Sequence, residues 1–375
     1  MQGNQDQKWM HEALSLAVKG WGRTRPNPLV GCVIIRDGRL LAEGYHVALG
    51  EDHAERAAIL QARRNGVSLA GATLYVNLEP CSHHGRTPPC ADLIIECGIR
   101  TVVAAMTDPN PKVSGQGFEH LRSAGILVRT GVLENEAQQL NEIFVKYITT
   151  GLPFILMKSA ISLDGKIATR MGDSKWISGQ EARQVVHHWR DRVSGIIVGK
   201  NTVLIDNPAL TTRLNGQAGK DPVRIVLASV GALPSDCKVF QGCKPGDAIL
   251  ATTSRMPASS RAAFERIGAT VVCIDGQDGQ VDLHELVGFL GRQGHDSILL
   301  EGGGTLNESF LQAGLIDKIM LFMAPKIIGG SGAVSCFHGS GTDKLSDAVR
   351  LEHMSVKPCG DDWLIEGYPR YEKGC

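Results

Sequence analysis

One imidazole, one carboxylate and two thiols lie at spacings that suit hydrolytic chemistry. His53-Ala54-Glu55 opens a stretch of helical pattern, and Pro80-Cys81 and Pro89-Cys90 follow the next strand-like run. Thiolates near helix amino ends are stabilised by the helix dipole, and zinc takes Cys and His ligands. With three protein ligands the ion keeps a fourth position for water, which loses a proton near neutral pH when so bound. Glu55, two residues beyond His53, is placed to shuttle protons from that water to a departing amine, the work of a general acid and base. The candidate metal ligands are therefore His53, Cys81 and Cys90, and the candidate catalytic residue is Glu55. A fourth ligand, His83 or His84, would instead close the ion into a structural site. Arg86, in the same loop, offers a cation to a phosphate.

A second group of chemically suggestive residues comes late in the chain. Residues 297–300 read as an apolar strand that runs into Glu301-Gly302-Gly303-Gly304-Thr305-Leu306-Asn307 and a helical run over 308–313. Glycines at a helix start let backbone amides approach a pyrophosphate. The spacing is not that of the Rossmann fingerprint, so a tight connection without a ligand explains the run equally well. Gly195-Ile196-Ile197-Val198-Gly199-Lys200-Asn201 lacks one residue between its glycines and has Asn where a P-loop needs a hydroxyl. ATP hydrolysis is excluded there.

The elements that must position these residues follow from periodicity. Residues 7–20 have helical period, and 30–35 with 39–44 read as a hairpin about Asp37-Gly38. Helix over 53–64, strand over 72–78, helix over 90–97 and strand over 101–106 follow, and then 121–124, 126–130 and one long helix over 134–147. This alternation predicts an α/β layered domain. Beyond Thr149-Thr150-Gly151-Leu152-Pro153, short apolar runs at 154–160, 195–198, 223–227, 248–252, 270–274, 297–300 and 318–322 predict a second one. The expected domains are 1–148 and 149–375.

Composition narrows the partners. The 375 residues exceed one ordinary core, and Lys plus Arg balance Asp plus Glu at 39 each, so nothing draws the chain as a whole to phosphate backbones or anionic membranes. No apolar stretch reaches membrane-spanning length, and the amino terminus is polar, so a cytoplasmic protein is expected. The ten Cys are scattered irregularly, as in a reducing compartment. Nothing in the sequence decides between a monomer and a homo-oligomer.

His-x-Glu followed by two Pro-Cys units is the signature of zinc nucleobase deaminases, with a gap of eight residues between the cysteines here instead of two. With its insertion, residues 82–89, the sequence resembles the bifunctional riboflavin-biosynthesis deaminase and reductase family along essentially the whole chain. Arg23-Thr24-Arg25-Pro26-Asn27-Pro28-Leu29-Val30-Gly31 and Gly44-Tyr45-His46 are similar to that family's pyrimidine-contacting segments. In the second half the resemblance is carried by Lys158 to Gly165, Trp176-Ile177-Ser178, Val203 to Thr211 and Glu301 to Gly304.

The resemblance implies a three-layer cytidine-deaminase-like α/β domain followed by a dihydrofolate-reductase-like α/β domain, with Zn2+ and NADPH as cofactors. It implies deamination of a diaminopyrimidinone ribosyl phosphate and then reduction of the ribosyl group to ribityl. Asn27 and His46 would contact the pyrimidine. Ala160, Trp176, Thr202, Asp206, Ser229 and the turn Gly303, Gly304, Thr305, Leu306, Asn307, Glu308 and Ser309 would contact NADPH. Ser174, Arg190, Leu210, Arg213 and Glu301 would contact the sugar phosphate, and Arg190 and Arg213 can each fork onto a phosphate. Lys158 and Asp164 are candidates for proton movement near the ribose. Rival readings are a zinc deaminase acting on nucleic-acid bases and a non-catalytic zinc scaffold. The neutral charge and 5% aromatic content count against the first.

Overall fold

Asp37 and Gly38 both adopt positive φ, 52° and 75°, the conformation that a two-residue hairpin turn requires. In this computed structural model, which describes residues 2–82, 88–216, 219–230 and 233–371, that turn joins β1 (Gly31–Arg36) to β2 (Arg39–Tyr45) after an opening helix α1 (Gln2–Val18). The chain divides into two units, Met1–Gly151 and Leu152–Cys375.

The first unit continues through α2 (Ala54–Arg64), β3 (Thr73–Leu78), α3 (Cys90–Glu96), β4 (Thr101–Met106), α4 (Gln116–Ser123), β5 (Leu127–Arg129), α5 (Glu134–Leu140) and α6 (Glu142–Thr150). Its sheet has the order β2-β1-β3-β4-β5. The hairpin strands are antiparallel, and β3, β4 and β5 run parallel. Because side chains alternate across a strand, the sheet offers an apolar surface on each face. Ala58, Ile59, Ala91, Ile94 and Leu121 from α2, α3 and α4 bury one face, and Met10, Ala13, Leu16 and Ala137 from α1 and α5 bury the other. This is the three-layer α/β arrangement of a cytidine-deaminase-like domain.

The expected single helix over 134–147 is two helices. Asn141, almost fully buried, ends α5 with φ −105° and ψ 19°. Its side-chain amide accepts from the Leu29 N–H at 2.8 Å and donates to the Leu29 carbonyl at 3.0 Å. A contact with a residue far away in sequence outweighs helix continuation at that point.

The second unit holds β6 (Phe154–Ser162), β7 (Lys166–Ala168), α7 (Gln180–Arg192), β8 (Gly195–Gly199), α8 (Lys200–Asp206), β9 (Val223–Leu227), β10 (Ala248–Thr252), α9 (Ala258–Arg266), β11 (Thr270–Cys273), α10 (Leu283–Arg292), β12 (Ser297–Leu300), α11 (Gly304–Gln312), β13 (Lys318–Ala324), β14 (Val334–Ser335), β15 (Arg350–Cys359) and β16 (Asp362–Arg370). The main sheet has the order β11-β10-β9-β8-β12-β6-β13-β16-β15. Its strands run parallel from β11 to β13, and β16 and β15 close that edge as an antiparallel hairpin. That hairpin was not anticipated. The chain leaves β6 for β8 and proceeds outward to β11, then returns with β12 into the gap between β8 and β6. Ligands of open parallel sheets bind beyond the carboxyl ends of the strands at such a reversal. α11 starts at Gly304, four residues earlier than expected, so the glycine turn is itself the first turn of the helix. No helix among the described residues is long and apolar enough to cross a membrane.

Candidate active sites

Gly44 on β2 sits where an added Cβ would meet the Ala58 amide at 2.5 Å and the Ala54 carbonyl at 2.6 Å. The missing side chain lets the first turn of α2 lie directly on the hairpin, which fixes His53 at the helix N-cap position and Glu55 in its first turn. Cys90 begins α3, and its backbone N–H donates to the Cys81 sulfur at 3.3 Å. The His53 Nδ1 lies 3.6 Å from Cys81 Sγ and 3.5 Å from Cys90 Sγ. A tetrahedral ion with zinc–nitrogen and zinc–sulfur bonds of about 2.0 and 2.3 Å would hold such donors roughly 3.5 Å apart, so these three side chains fit zinc. Among the described residues no fourth His, Cys, Asp or Glu joins the cluster. His83, His84 and Arg86 lie outside the described residues.

Without an ion, the three donors differ in how readily they give up their protons, and a bound cation would have to displace those on His53 and Cys90. The Cys81 thiol is held down to about 4, first by its hydrogen bond with Cys90 and then, against the effect of burial, by His53 and the Cys90 amide. The same bond pushes the Cys90 thiol up, with burial adding to the rise. Cys81 is therefore the first thiolate of the pair. Hydrogen bonding to Cys81 raises His53 to about 8. Glu55 is only 3% exposed. Burial pushes its carboxyl up to about 7, with the Cys81 thiolate adding to the rise and His53 opposing it, a value at which one group can both take and give a proton near neutral pH.

Asn27 and His46 meet beside this centre. Asn27 Nδ2 lies 3.2 Å from His46 Nε2, and His46 Nδ1 lies 3.1 Å from the Asp52 carbonyl. A carbonyl only accepts, so Nδ1 carries the proton, Nε2 accepts, and Asn27 directs its NH2 at the ring. Leu29, two residues on, is the residue gripped by Asn141, and Asn77 also holds the Leu29 carbonyl and the Gly31 amide. Buried amides from β3 and the α5–α6 junction thus fix the segment that carries Asn27.

In the second unit two adjoining cavities, about 780 and 750 Å³, open at the sheet reversal. Ser229, Gly303, Gly304, Thr305, Leu306 and Ser309 line the first. Ala160, Trp176, Arg190, Leu210, Arg213 and Glu301 line the second. Ser174, Thr202 and Asp206 line both and mark where the two meet. The side chains of Asn307 and Glu308 line neither. Asn307 is fully buried and donates to the Cys336 carbonyl at 3.0 Å, and Glu308 accepts from Gln312 at 2.9 Å.

Two further expectations change on geometric grounds. Arg190 spends its fork on Glu301, with bonds of 2.9 and 3.1 Å, and its remaining Nη1 on the Thr211 carbonyl at 3.1 Å. Three of its five N–H donors are thus committed within the protein, and the edge that forks is turned to Glu301. Asp164 accepts from the Ser162 hydroxyl and from the Ile328 and Gly329 amides, so its carboxylate anchors a loop and is not free to move protons. Lys158 does line the second cavity, with Nζ 3.5 Å from Glu301. The sequence reading missed Arg183, His187, Lys200, Arg255 and Gln280 as lining residues. They come from separate elements with no shared motif, and only Lys200, directly after the Gly195–Gly199 strand, carried a local signal.

An imidazole and two cysteine sulfurs beside a buried glutamate on a three-layer sandwich, followed by a parallel sheet with a glycine turn at its reversal, define a two-domain enzyme of deaminase and reductase type. The family model for the cytidine and deoxycytidylate deaminase zinc-binding region matches residues 3–106, and that for the RibD C-terminal domain matches residues 153–365. The chain is 45% identical to the riboflavin biosynthesis protein RibD of Actinobacillus pleuropneumoniae, over 96% of this chain and 94% of that one. It is 41% identical to the RibD of Escherichia coli K12, over 96% and 98% of the two chains. A crystal structure from Thermotoga maritima of a diaminohydroxyphosphoribosylaminopyrimidine deaminase/5-amino-6-(5-phosphoribosylamino)uracil reductase superposes with a TM-score of 0.86 at 40% identity, covering 99% of this chain and all of that one. The chain belongs to the RibD family and is a bifunctional enzyme of riboflavin biosynthesis.

Proposed function

We propose that residues 1–148 deaminate 2,5-diamino-6-(5-phosphoribosylamino)pyrimidin-4(3H)-one to 5-amino-6-(5-phosphoribosylamino)uracil, and that residues 149–375 reduce the ribosyl group of that product to ribityl with NADPH. The observation that carries the reading is the spacing of the His53 nitrogen from the Cys81 and Cys90 sulfurs, each at a tetrahedral edge, beside a buried Glu55. Zn2+ held by those three side chains would supply a Lewis acid that makes water nucleophilic at neutral pH. Glu55 takes a proton from the incoming water and returns it to the amine nitrogen at C2, so that water adds and ammonia leaves. Asn27, its amide oriented by His46, holds the pyrimidine edge.

In the second unit NADPH would supply hydride to ribose C1′. The turn from Gly303 to Leu306, with Thr202, Asp206, Ser229 and Ser309, would hold the dinucleotide. Ala160 and Trp176, which line the other cavity, would also contact NADPH. Ser174, Leu210 and Arg213 hold the sugar phosphate. Glu301, fixed by Arg190, and Lys158 lie within the same cavity, and Lys158 is the group placed to give a proton to the opening ring. Asn307 and Glu308 lie outside both cavities and are left out of the dinucleotide contacts. The balanced charge supports a cytoplasmic enzyme of small substrates with no nucleic-acid partner.

The test is turnover by the purified chain. Ammonia release from the small ribosyl pyrimidine, followed by NADPH oxidation, is expected, with no ammonia from RNA. Ammonia from RNA, or zinc binding without either reaction, would return the field to the nucleic-acid deaminase or the scaffold.

A further inference from the structure

α7 presents a stripe to the second cavity. Arg183, His187 and Arg190, spaced by four and three residues, share one helix face, and all three line the cavity. Two members of the stripe are already engaged. The Arg183 guanidinium lies 4.7 Å from the centre of the Trp176 ring and donates to the Ser178 carbonyl at 2.7 Å, and Arg190 is taken up by Glu301 and Thr211. His187 differs. The Arg213 backbone N–H points at its Nδ1 from 3.3 Å. A main-chain amide only donates, so Nδ1 must accept, and in the neutral ring Nε2 then carries the hydrogen.

We infer that His187 is a further substrate-binding residue of the reductase cavity, donating Nε2–H to a phosphate oxygen of the sugar phosphate beside the Arg213 guanidinium. This rests on the reductase reading above. The charges around the ring favour an anion. Arg190, Arg213, Lys158 and Glu301 are the charged groups that act on it, and Glu301 is already shared between Arg190 and Lys158. The excess is positive. Burial first, then Arg190, Arg213 and Lys158 against the opposing Glu301, push His187 down to about 4. The ring is therefore uncharged near neutral pH and serves as one acceptor and one donor. The same Nδ1 bond ties the loop carrying Arg213 to α7, so the two phosphate donors are set at a fixed separation.

The test titrates ribose 5-phosphate into the full chain and into His187→Asn by calorimetry. Asn places its amide near the Nδ1 position and can still accept from the Arg213 N–H, but it has nothing at Nε2. Affinity for ribose 5-phosphate should fall about tenfold, the usual worth of one hydrogen bond to a charged group. NADPH affinity should stay unchanged. His187→Gln, whose amide reaches toward Nε2, should recover part of the loss, and it serves as the second variant if the first folds poorly. Equal affinities for the unaltered chain and His187→Asn, a parallel loss of NADPH affinity, or no binding by the unaltered chain would each overturn the inference. Failure of the reductase reading has its own sign, the absence of NADPH oxidation by the unaltered chain with the deaminated substrate.

Discussion

Glu55→Gln is expected to lower ammonia release by about a thousandfold, in the upper part of the range for loss of a general acid and base, while the protein keeps its metal. Gln has nearly the shape of Glu, and burial already disfavours the charged carboxylate there, so folding should not suffer. The three candidate ligands are untouched. When the deaminated intermediate is supplied, NADPH oxidation should proceed at the original rate, because every residue assigned to that step comes from the second unit. Metal analysis, ammonia release and NADPH oxidation on one preparation check all three points. Undiminished ammonia release would remove Glu55 from the chemistry, and a parallel loss of reduction would argue against two independent centres.

Glu301→Gln should have the next largest effect, on the reductase side. Glu301 is the anion between Arg190 and Lys158, and all three side chains are less than a fifth exposed. Breaking a buried ion pair from one side leaves charge without compensation, at a cost of about 3–5 kcal/mol. The sign of the pH dependence follows from the carboxyl. Burial alone would raise it, but Arg190 and then Lys158 bring it down to about 2. A depressed carboxyl contributes stability that is present above the unfolded value of about 4.3 and is lost as pH falls from there toward 2. Denaturation of the unaltered chain should therefore show the second unit weakening across that acid window. In Glu301→Gln the same transition should already be weak at pH 7 and change less on acidification, with NADPH oxidation reduced and ammonia release kept. An unchanged transition at pH 7 would show that the pair contributes little.

What could be read from the sequence was local. His53, Glu55, Cys81 and Cys90 stood out because each sits at the edge of an element whose periodicity is plain, and zinc chemistry restricts which residue types can meet there. The strands with short, largely apolar runs, such as Val223–Leu227 and Ala248–Thr252, agree with the structure residue for residue. The β15–β16 hairpin gave no such run, because β15 lies at the sheet edge and is mostly exposed or half-buried. The break at Asn141 was hidden because its cause is a pair of bonds to Leu29. The bidentate pairing of Arg190 with Glu301 was hidden too, because residue type does not reveal which anion a guanidinium meets. Asn307 illustrates the same limit from the other side. A residue inside a cavity-lining turn can face the core, and the three-residue offset from Gly304 that turns it there becomes visible only once the start of α11 is known.

X-ray absorption at the zinc edge, on the full chain purified in the presence of zinc, tests the central claim most directly. One equivalent of zinc is expected, with two sulfur ligands and one imidazole, the fourth position being held by a single light atom from solvent. A third sulfur, a second imidazole, or no stoichiometric zinc would contradict it.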